Sequence, residues 1–148
     1  MRCVNCGFAN SEEMAFCGKC GSRLRPANAE AERRQLTVMF CDLVGSTSLS
    51  QQLDPEELRD VIRAYQLACG EVVRDFDGHI AQYLGDGVLV YFGYPRAHED
   101  DAERAVRAGL GIVRAVASLN GGQSPSIEWT APLRVRVGIH TGLVVGRA

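Results

Sequence analysis

The stretch His79-Ile80-Ala81-Gln82-Tyr83-Leu84-Gly85-Asp86-Gly87-Val88-Leu89-Val90-Tyr91-Phe92 decides the fold. Two short apolar runs flank Gly85-Asp86-Gly87, a tight-turn signal, so the segment predicts a hairpin of strands His79–Leu84 and Val88–Tyr94. Pro95 stops the second strand, because it has no N–H to give to a ladder. Upstream, Asp77-Gly78 closes a helix that Asp54-Pro55-Glu56-Glu57 opens. Asp54 is the N-cap, Pro55 takes the first helical position and Glu57 completes a capping-box pair. Leu58, Val61, Ile62, Tyr65, Leu67, Ala68 and Val72 recur at helical spacing up to about Phe76. Before that helix, Leu36–Leu43 is a mostly apolar run, read as a strand buried on both faces and broken by Val44-Gly45-Ser46-Thr47. Downstream, Glu99–Leu119 predicts a second helix with Ala102, Ala105, Val106, Leu110, Val113 and Val116 on its core face. Asn120–Thr130 is a Gly/Ser/Pro loop. Leu133–His140 alternates Leu133, Val135, Val137 and Ile139 with Arg134 and Arg136, a strand with one polar face.

The order is β-α-β-β-α-β, the α+β ferredoxin-like unit: an antiparallel sheet with helices on one side. In that topology the third strand lies between the first and second, so the end of the first strand sits beside the start of the third. Asp42 is thereby brought next to Asp86. Two carboxylates at adjoining strand ends repel unless a cation lies between them. Hard oxygen ligands of this kind suit Mg²⁺ or Mn²⁺, which use one or two carboxylates plus substrate phosphates. Gly85 and Gly87 let a bulky ligand approach the backbone. The backbone N–H groups of Leu43-Val44-Gly45-Ser46-Thr47 lead toward a helix and could cradle a polyphosphate. Each acid alone has a plainer reading, Asp42 as a cap or turn residue and Asp86 as half of an ordinary Asp-Gly turn. Placed together beside a Gly-Ser-Thr loop, they favour a metal-bound triphosphate.

The 148 residues, 46% hydrophobic and 23% charged, describe a soluble globular chain of one domain plus a small module. The net charge of −2 offers no electrostatic footprint for nucleic acid or an anionic membrane. No apolar run reaches the ~20 residues that span a bilayer, and the start lacks a secretory signal, so a cytoplasmic location is expected. Residues 1–26 hold four of the six cysteines as Cys3-Val4-Asn5-Cys6 and Cys17-Gly18-Lys19-Cys20. Each Cys-x-x-Cys turn offers two thiolates, and four make a tetrahedral zinc site. A segment this short cannot bury a sufficient core, so metal would supply its folding energy. An iron site or a redox dithiol is the alternative. Residues 27–34 are polar and read as a linker, and residues 35–148 as the larger domain. Arg2, Lys19, Arg23 and Arg25 are countered by Glu12 and Glu13, so the ribbon is expected to meet a protein or a regulatory signal rather than nucleic acid.

Phe40-Cys41-Asp42-Leu43-Val44-Gly45-Ser46-Thr47 resembles the first signature of class III adenylate/guanylate cyclases. Leu84-Gly85-Asp86-Gly87-Val88-Leu89-Val90-Tyr91-Phe92-Gly93 resembles the second, and His98-Glu99-Asp100-Asp101-Ala102 and Val137-Gly138-Ile139-His140-Thr141-Gly142 fit the same family. Four motifs in order, from about Gln35 to Val145, make the likeness specific. A zinc ribbon ahead of such a domain resembles the N-terminus of large bacterial multidomain cyclases. The resemblance implies that ATP, or GTP, loses pyrophosphate as its ribose 3′-oxygen attacks the α-phosphorus. It implies two Mg²⁺ or Mn²⁺ ions per site held by Asp42, Asp86 and the Leu43 carbonyl, and a site at a head-to-tail homodimer interface.

Two departures stand out. Gln82 occupies the position, four residues before Asp86, where the family's adenylate cyclases usually carry a base-reading Lys. An amide both donates and accepts, so it is less decisive against guanine. The family's transition-state Asn and Arg lie beyond the strand near His140, and the chain reaches only Ala148. A C-terminally truncated cyclase domain, with an exposed sheet edge and little or no activity alone, is therefore expected. The competing reading is a non-catalytic zinc-ribbon and cyclase-like module that binds nucleotide or dimerises to regulate a partner. Cys41 and Cys69 read as packing, His79, His98 and His140 as structural, and Trp129 carries no functional reading.

Overall fold

The computed structural model describes residues 1–11, 14–24, 32–120 and 132–146. The elements run β1 (Glu32–Leu43), α1 (Ser46–Gln52), α2 (Pro55–Asp75), β2 (His79–Leu84), β3 (Gly87–Phe92), α3 (Asp101–Leu119) and β4 (Val135–Gly146). The strands form one sheet in the order β2-β3-β1-β4, with β3 antiparallel to both β1 and β2. Three links show that β4 also runs antiparallel to β1. Val44 N–H bonds the Arg134 carbonyl, the Asp42 carboxylate accepts from Arg136, and the Thr37 and Thr141 hydroxyls meet at 2.9 Å. The partners advance in opposite directions along the two strands. This is the expected ferredoxin-like α+β sheet. By contacts the chain divides into two compact units, Met1–Arg34 with Val144–Ala148 and Gln35–Leu143.

Asp54 caps α2 as its residue type dictates. Its carboxylate accepts from the N–H groups of Glu56 and Glu57, and Glu57 reaches back to the Asp54 N–H. The helix buries Val61, Tyr65, Cys69 and Val73, one side chain per turn. On the sheet, Met39, Cys41 and Leu43 of β1 and Val88, Val90 and Phe92 of β3 alternate into the same core. Each such side chain contributes about 1.5–3 kcal/mol on burial. Arg104 joins the start of α3 to the end of α2, donating to the Phe76 carbonyl at 2.5 Å and to Asp100 and Asp101. Asn120, at the end of α3, pairs with both backbone groups of Leu133 and so sets the approach to β4.

Five expectations are corrected. Over Met39–Leu43, β1 is covered on one face only, with Phe40 40% exposed, because the helices pack on the other side, whereas Leu36 and Thr37 nearer its start are both buried. A short helix, α1, intervenes before Asp54. The core face of α3 is Ala105, Ala108, Gly109, Ile112 and Val116, while Val106, Leu110 and Val113 lie at the surface. Close approach selects that face. A Cβ on Gly109 would sit 3.2 Å from Val137 Cγ1, and one on Gly111 would sit 2.9 Å from Val72 Cγ1. Small residues let α3 settle on the sheet and on α2, whereas large ones would hold it off. Leu67 of α2 is likewise exposed. β1 starts earlier and β4 ends later than the apolar runs suggested, so Glu32–Arg34 belong to a strand. Residues 27–31, most of the Asn120–Thr130 loop and Trp129 lie outside the described residues.

In the ribbon, Arg2 pairs with Ala9 and Phe16 with Arg23 as isolated antiparallel bridges, one for each cysteine knuckle. Hydrogen bonds from Gly7 N to Cys3 O and from Gly21 N to Cys17 O close the two turns. Buried Asn10 ties them together, accepting from Gly18 N and donating to Phe8 O.

The Tyr65 hydroxyl is fully buried and makes no hydrogen bond of normal geometry among the described residues, although the Cys69 thiol one turn on lies close enough to interact with it. Burial pushes its ionisation well above the usual phenol range, so it stays neutral. An orphaned buried hydroxyl costs about 1–3 kcal/mol. Tyr65→Phe is therefore expected to leave the denaturation midpoint unchanged or raise it, whereas Ile112→Ala is expected to cost about 2–5 kcal/mol. A loss of more than about 1 kcal/mol in Tyr65→Phe, measured by urea unfolding, would show that the hydroxyl is partnered.

Candidate active site

The register of β1 against β3 assembles the acidic pair. Asp42 lies opposite Gly87, and Asp86 is the residue just before it, in the hairpin turn. Gly85 shapes that turn with φ 64, a conformation costly for any residue with a Cβ. Gln66 of α2 donates to the Gly85 carbonyl at 3.1 Å and so fixes the turn to the helix layer. Leu43 ends β1 with its side chain buried, which leaves only its backbone for a ligand. Gly45 stands at the N-cap of α1 in the left-handed conformation, followed by Ser46 and Thr47. The Val44 N–H bonds the Arg134 carbonyl at 2.8 Å, so it is engaged with β4.

Gln82 reaches the same face of the sheet by an irregularity. His79 pairs with Tyr91 and Ile80 with Val90, but Gln82, not Ala81, pairs with Leu89. The bulge at Ala81 shifts the alternation by one residue, so Gln82 leaves the core side. Leu89 is in turn opposite Phe40. Gln82, Leu89 and Phe40 therefore share a row on the open face, and Asp42, two residues from Phe40, shares that face.

One side chain the sequence reading did not single out completes the group. Arg136 of β4 donates from Nε to Asp42 Oδ1 at 3.1 Å and from Nη2 to Oδ2 at 2.9 Å. The Asp42 carboxylate, and more weakly that of Asp86, raise the basicity of the guanidinium. Sequence showed Arg136 only as part of a polar strand face, and the β1–β4 pairing is what aims it at Asp42. The Asp42 carboxylate thus already draws a cation here, which fits the expectation of a hard divalent ion at this position. His79 meets Tyr94 edge-on and His98 contacts Asp101, and neither bonds an acid of the site. The buried thiols of Cys41 and Cys69 are pushed up to about 12 and about 11 by burial, which fits packing roles.

In the ribbon, the Sγ atoms of Cys3, Cys6, Cys17 and Cys20 all lie within 4.8 Å of one another. Cys3 and Cys20 approach to 3.7 Å, and Cys6 and Cys17 to 3.6 Å. Four sulfurs about 2.3 Å from a central zinc would stand about 3.8 Å apart, so the cluster fits a tetrahedral zinc ion. The Ser22 hydroxyl and N–H lower Cys20 to about 6, whereas, despite a backbone bond from Phe8, burial and three cysteine neighbours raise Cys6 to about 12, a repulsion that a shared cation would relieve.

The family description "Adenylate and Guanylate cyclase catalytic domain" matches residues 29–148, and "zinc-ribbon domain" matches residues 2–24. Adenylate cyclase 1 of Rhizobium meliloti (strain 1021) is 35% identical over 115 residues, 78% of this chain and 17% of that protein. The crystal structure of the guanylyl cyclase Cya2 is similar with a TM-score of 0.72 and 37% identity, covering 78% of this chain and 58% of the other. That of the adenylyl cyclase CyaB from P. aeruginosa gives 0.71 and 34%, covering 76% and 58%. The chain thus spans under two thirds of these solved structures and a small part of the curated relative. On its matched residues, its sheet order and the acids that this order brings together, the chain belongs to the adenylate and guanylate cyclase catalytic domain family, preceded by a zinc ribbon.

Proposed function

We propose that residues 35–148 act as a nucleotide cyclase domain, taking ATP or GTP to the 3′,5′-cyclic nucleotide and pyrophosphate. The observation that carries this is the Asp42–Gly87 register, which joins two distant acids at one sheet end. Asp42, Asp86 and the Leu43 carbonyl would hold divalent ions. Mg²⁺ or Mn²⁺, when bound, lowers the pKa of the ribose 3′-hydroxyl and neutralises the triphosphate. Gly45, Ser46 and Thr47, at the start of α1, offer N–H groups to the phosphates. Val44 contributes contact alone, since its N–H is committed to Arg134. Arg136 supplies a cation beside both acids. Gln82, in the row with Leu89 and Phe40, faces the place of the base, where its amide would both donate and accept.

Half-exposed Phe40 in the middle of the open face supports a homodimer that covers it. No helix among the described residues is long and apolar enough to cross a membrane. A cytoplasmic location goes with this reading: the nucleotides are there, and all six cysteines are free thiols. In the ribbon, Cys3, Cys6, Cys17 and Cys20 would hold one structural zinc.

The test is to incubate the chain with Mn²⁺ and a fluorescent ATP or GTP, measure binding, and quantify cyclic product. Asp42→Asn and Asp86→Asn are each expected to weaken Mn²⁺-dependent binding by about tenfold or more and to abolish any product, as loss of a metal ligand does. Binding indifferent to Mn²⁺ and to both substitutions would overturn the proposal. Metal-dependent binding without product would favour the regulatory module instead.

Gln82→Lys is expected to raise the ratio of ATP to GTP binding, because a cation donates and cannot accept. An unchanged ratio would remove Gln82 from the base site. The ribbon is expected to contain about one zinc per chain and to lose its amide dispersion in NMR spectra when a strong chelator removes the metal. Retained dispersion after chelation would show that hydrogen bonds alone hold the knuckles.

A further inference from the structure

Both oxygens of Asp42 are engaged by a single planar cation, Arg136, at 3.1 and 2.9 Å. The guanidinium fork matches a carboxylate edge and uses both of its oxygens. A hard divalent ion takes a carboxylate through those same oxygens. Guanidinium and metal ion therefore compete for one ligand. We propose that Arg136 gates metal entry: it holds Asp42 while no nucleotide is present, and it yields Asp42 to a divalent ion when the anionic triphosphate draws the guanidinium away. This rests on the metal-pair reading of Asp42 and Asp86.

The surroundings suit an exchange rather than a permanent tie. The Arg136 side chain is 70% exposed, and that of Asp42 is 27% exposed. Exposed ion pairs are weak and screened by salt, so little resists their opening. β4 is an edge strand of the described sheet, and the long arginine stem can swing without disturbing the core. Asp86 also acts on this guanidinium. Removing the cation alone would leave two neighbouring carboxylates at a sheet end, which is unfavourable. The exchange is therefore favourable when a new cation and an anionic acceptor for Arg136 arrive together, as they do in a metal–nucleotide complex. A free divalent ion, which brings no anion, has to displace the guanidinium unaided. The gate thus favours loaded substrate over bare metal.

Arg134 supplies the control. It carries the same charge two residues earlier, exposed just before β4 begins, and among the described residues it makes no bond to Asp42 or Asp86. The experiment titrates the zinc-loaded chain with Mn²⁺ alone and follows free Mn²⁺ by electron paramagnetic resonance, with circular dichroism confirming that each variant is folded. Arg136→Gln is expected to bind Mn²⁺ about fivefold more tightly than the unaltered chain, as loss of a competing exposed pair allows. Arg136→Lys, a cation without the fork, should fall between the two. Arg134→Gln should stay within about twofold of the unaltered chain. Equal Mn²⁺ affinity in Arg136→Gln and the unaltered chain would overturn the gate, and so would equal tightening in Arg134→Gln, which would reduce the effect to net charge. Asp42→Asn separates this failure from that of the metal pair. If Mn²⁺ binding ignores both Asp42→Asn and Asp86→Asn, the metal pair itself is wrong and the gate falls with it. If binding needs Asp42 and Arg136→Gln changes nothing, only the gate is wrong.

Discussion

Cys41 and Leu43 are buried in the core that α2 and α3 complete, and their burial is what aims Asp42. Strand side chains alternate strictly, so committing residues 39, 41 and 43 to the core commits 40 and 42 to the open face. The pairing of β1 with β3 then sets Asp42 opposite Gly87 and beside Asp86. A slip of one residue would turn every apolar side chain of β1 outward and bury Asp42. Hydrophobic burial, which has no chemistry of its own, thereby holds a carboxylate in place more firmly than any polar contact at the site could.

The sheet uses its irregularity in the same way. Without the bulge at Ala81, Gln82 would pair with Val88 and point into the core, an unpartnered amide in an apolar layer. With the bulge, Ile80 stays opposite Val90 and Gln82 moves to the face of Asp42. One extra residue in an edge strand reconciles a packed interior with a polar side chain on the open face. The helix layer packs closely as well: Gly109 and Gly111 let α3 rest on β4 and α2.

The hairpin around Asp86, the capped start of α2, the strand order and the meeting of the two acids were legible in the sequence, because each depends on local signals or on topology. The core face of α3 was not. Hydrophobicity singles out Val106, Leu110 and Val113, but the fit against Val137 and Val72 requires the glycines and alanines instead, and that requirement belongs to the neighbouring elements. Arg136 was visible only as an alternating cation. Its role depends on the partner strand, and the spacing of residues within β4 carries no record of which strand lies alongside. The bulge at Ala81 was hidden for the same reason, since a bulge is a property of a pair of strands. The short helix after Gly45 buries no residue, so it leaves no apolar pattern to detect.

The pairing of Asp42 with Arg136 is poorly placed to stabilise the fold. Its arginine is mostly in solvent, on an edge strand, and β4 is already tied to β1 through Val44 and Thr37. The hydrogen-bonded acid nearest the interior of the domain, Asp101, is held quite differently, with the Arg104 side chain largely buried beside it and the His98 N–H capping its other oxygen. A bidentate contact that adds little to stability, beside a second acid, fits the proposed gate better than a structural tie. On that proposal, it would keep two neighbouring carboxylates neutralised until a divalent ion and an anionic acceptor for the arginine arrive together.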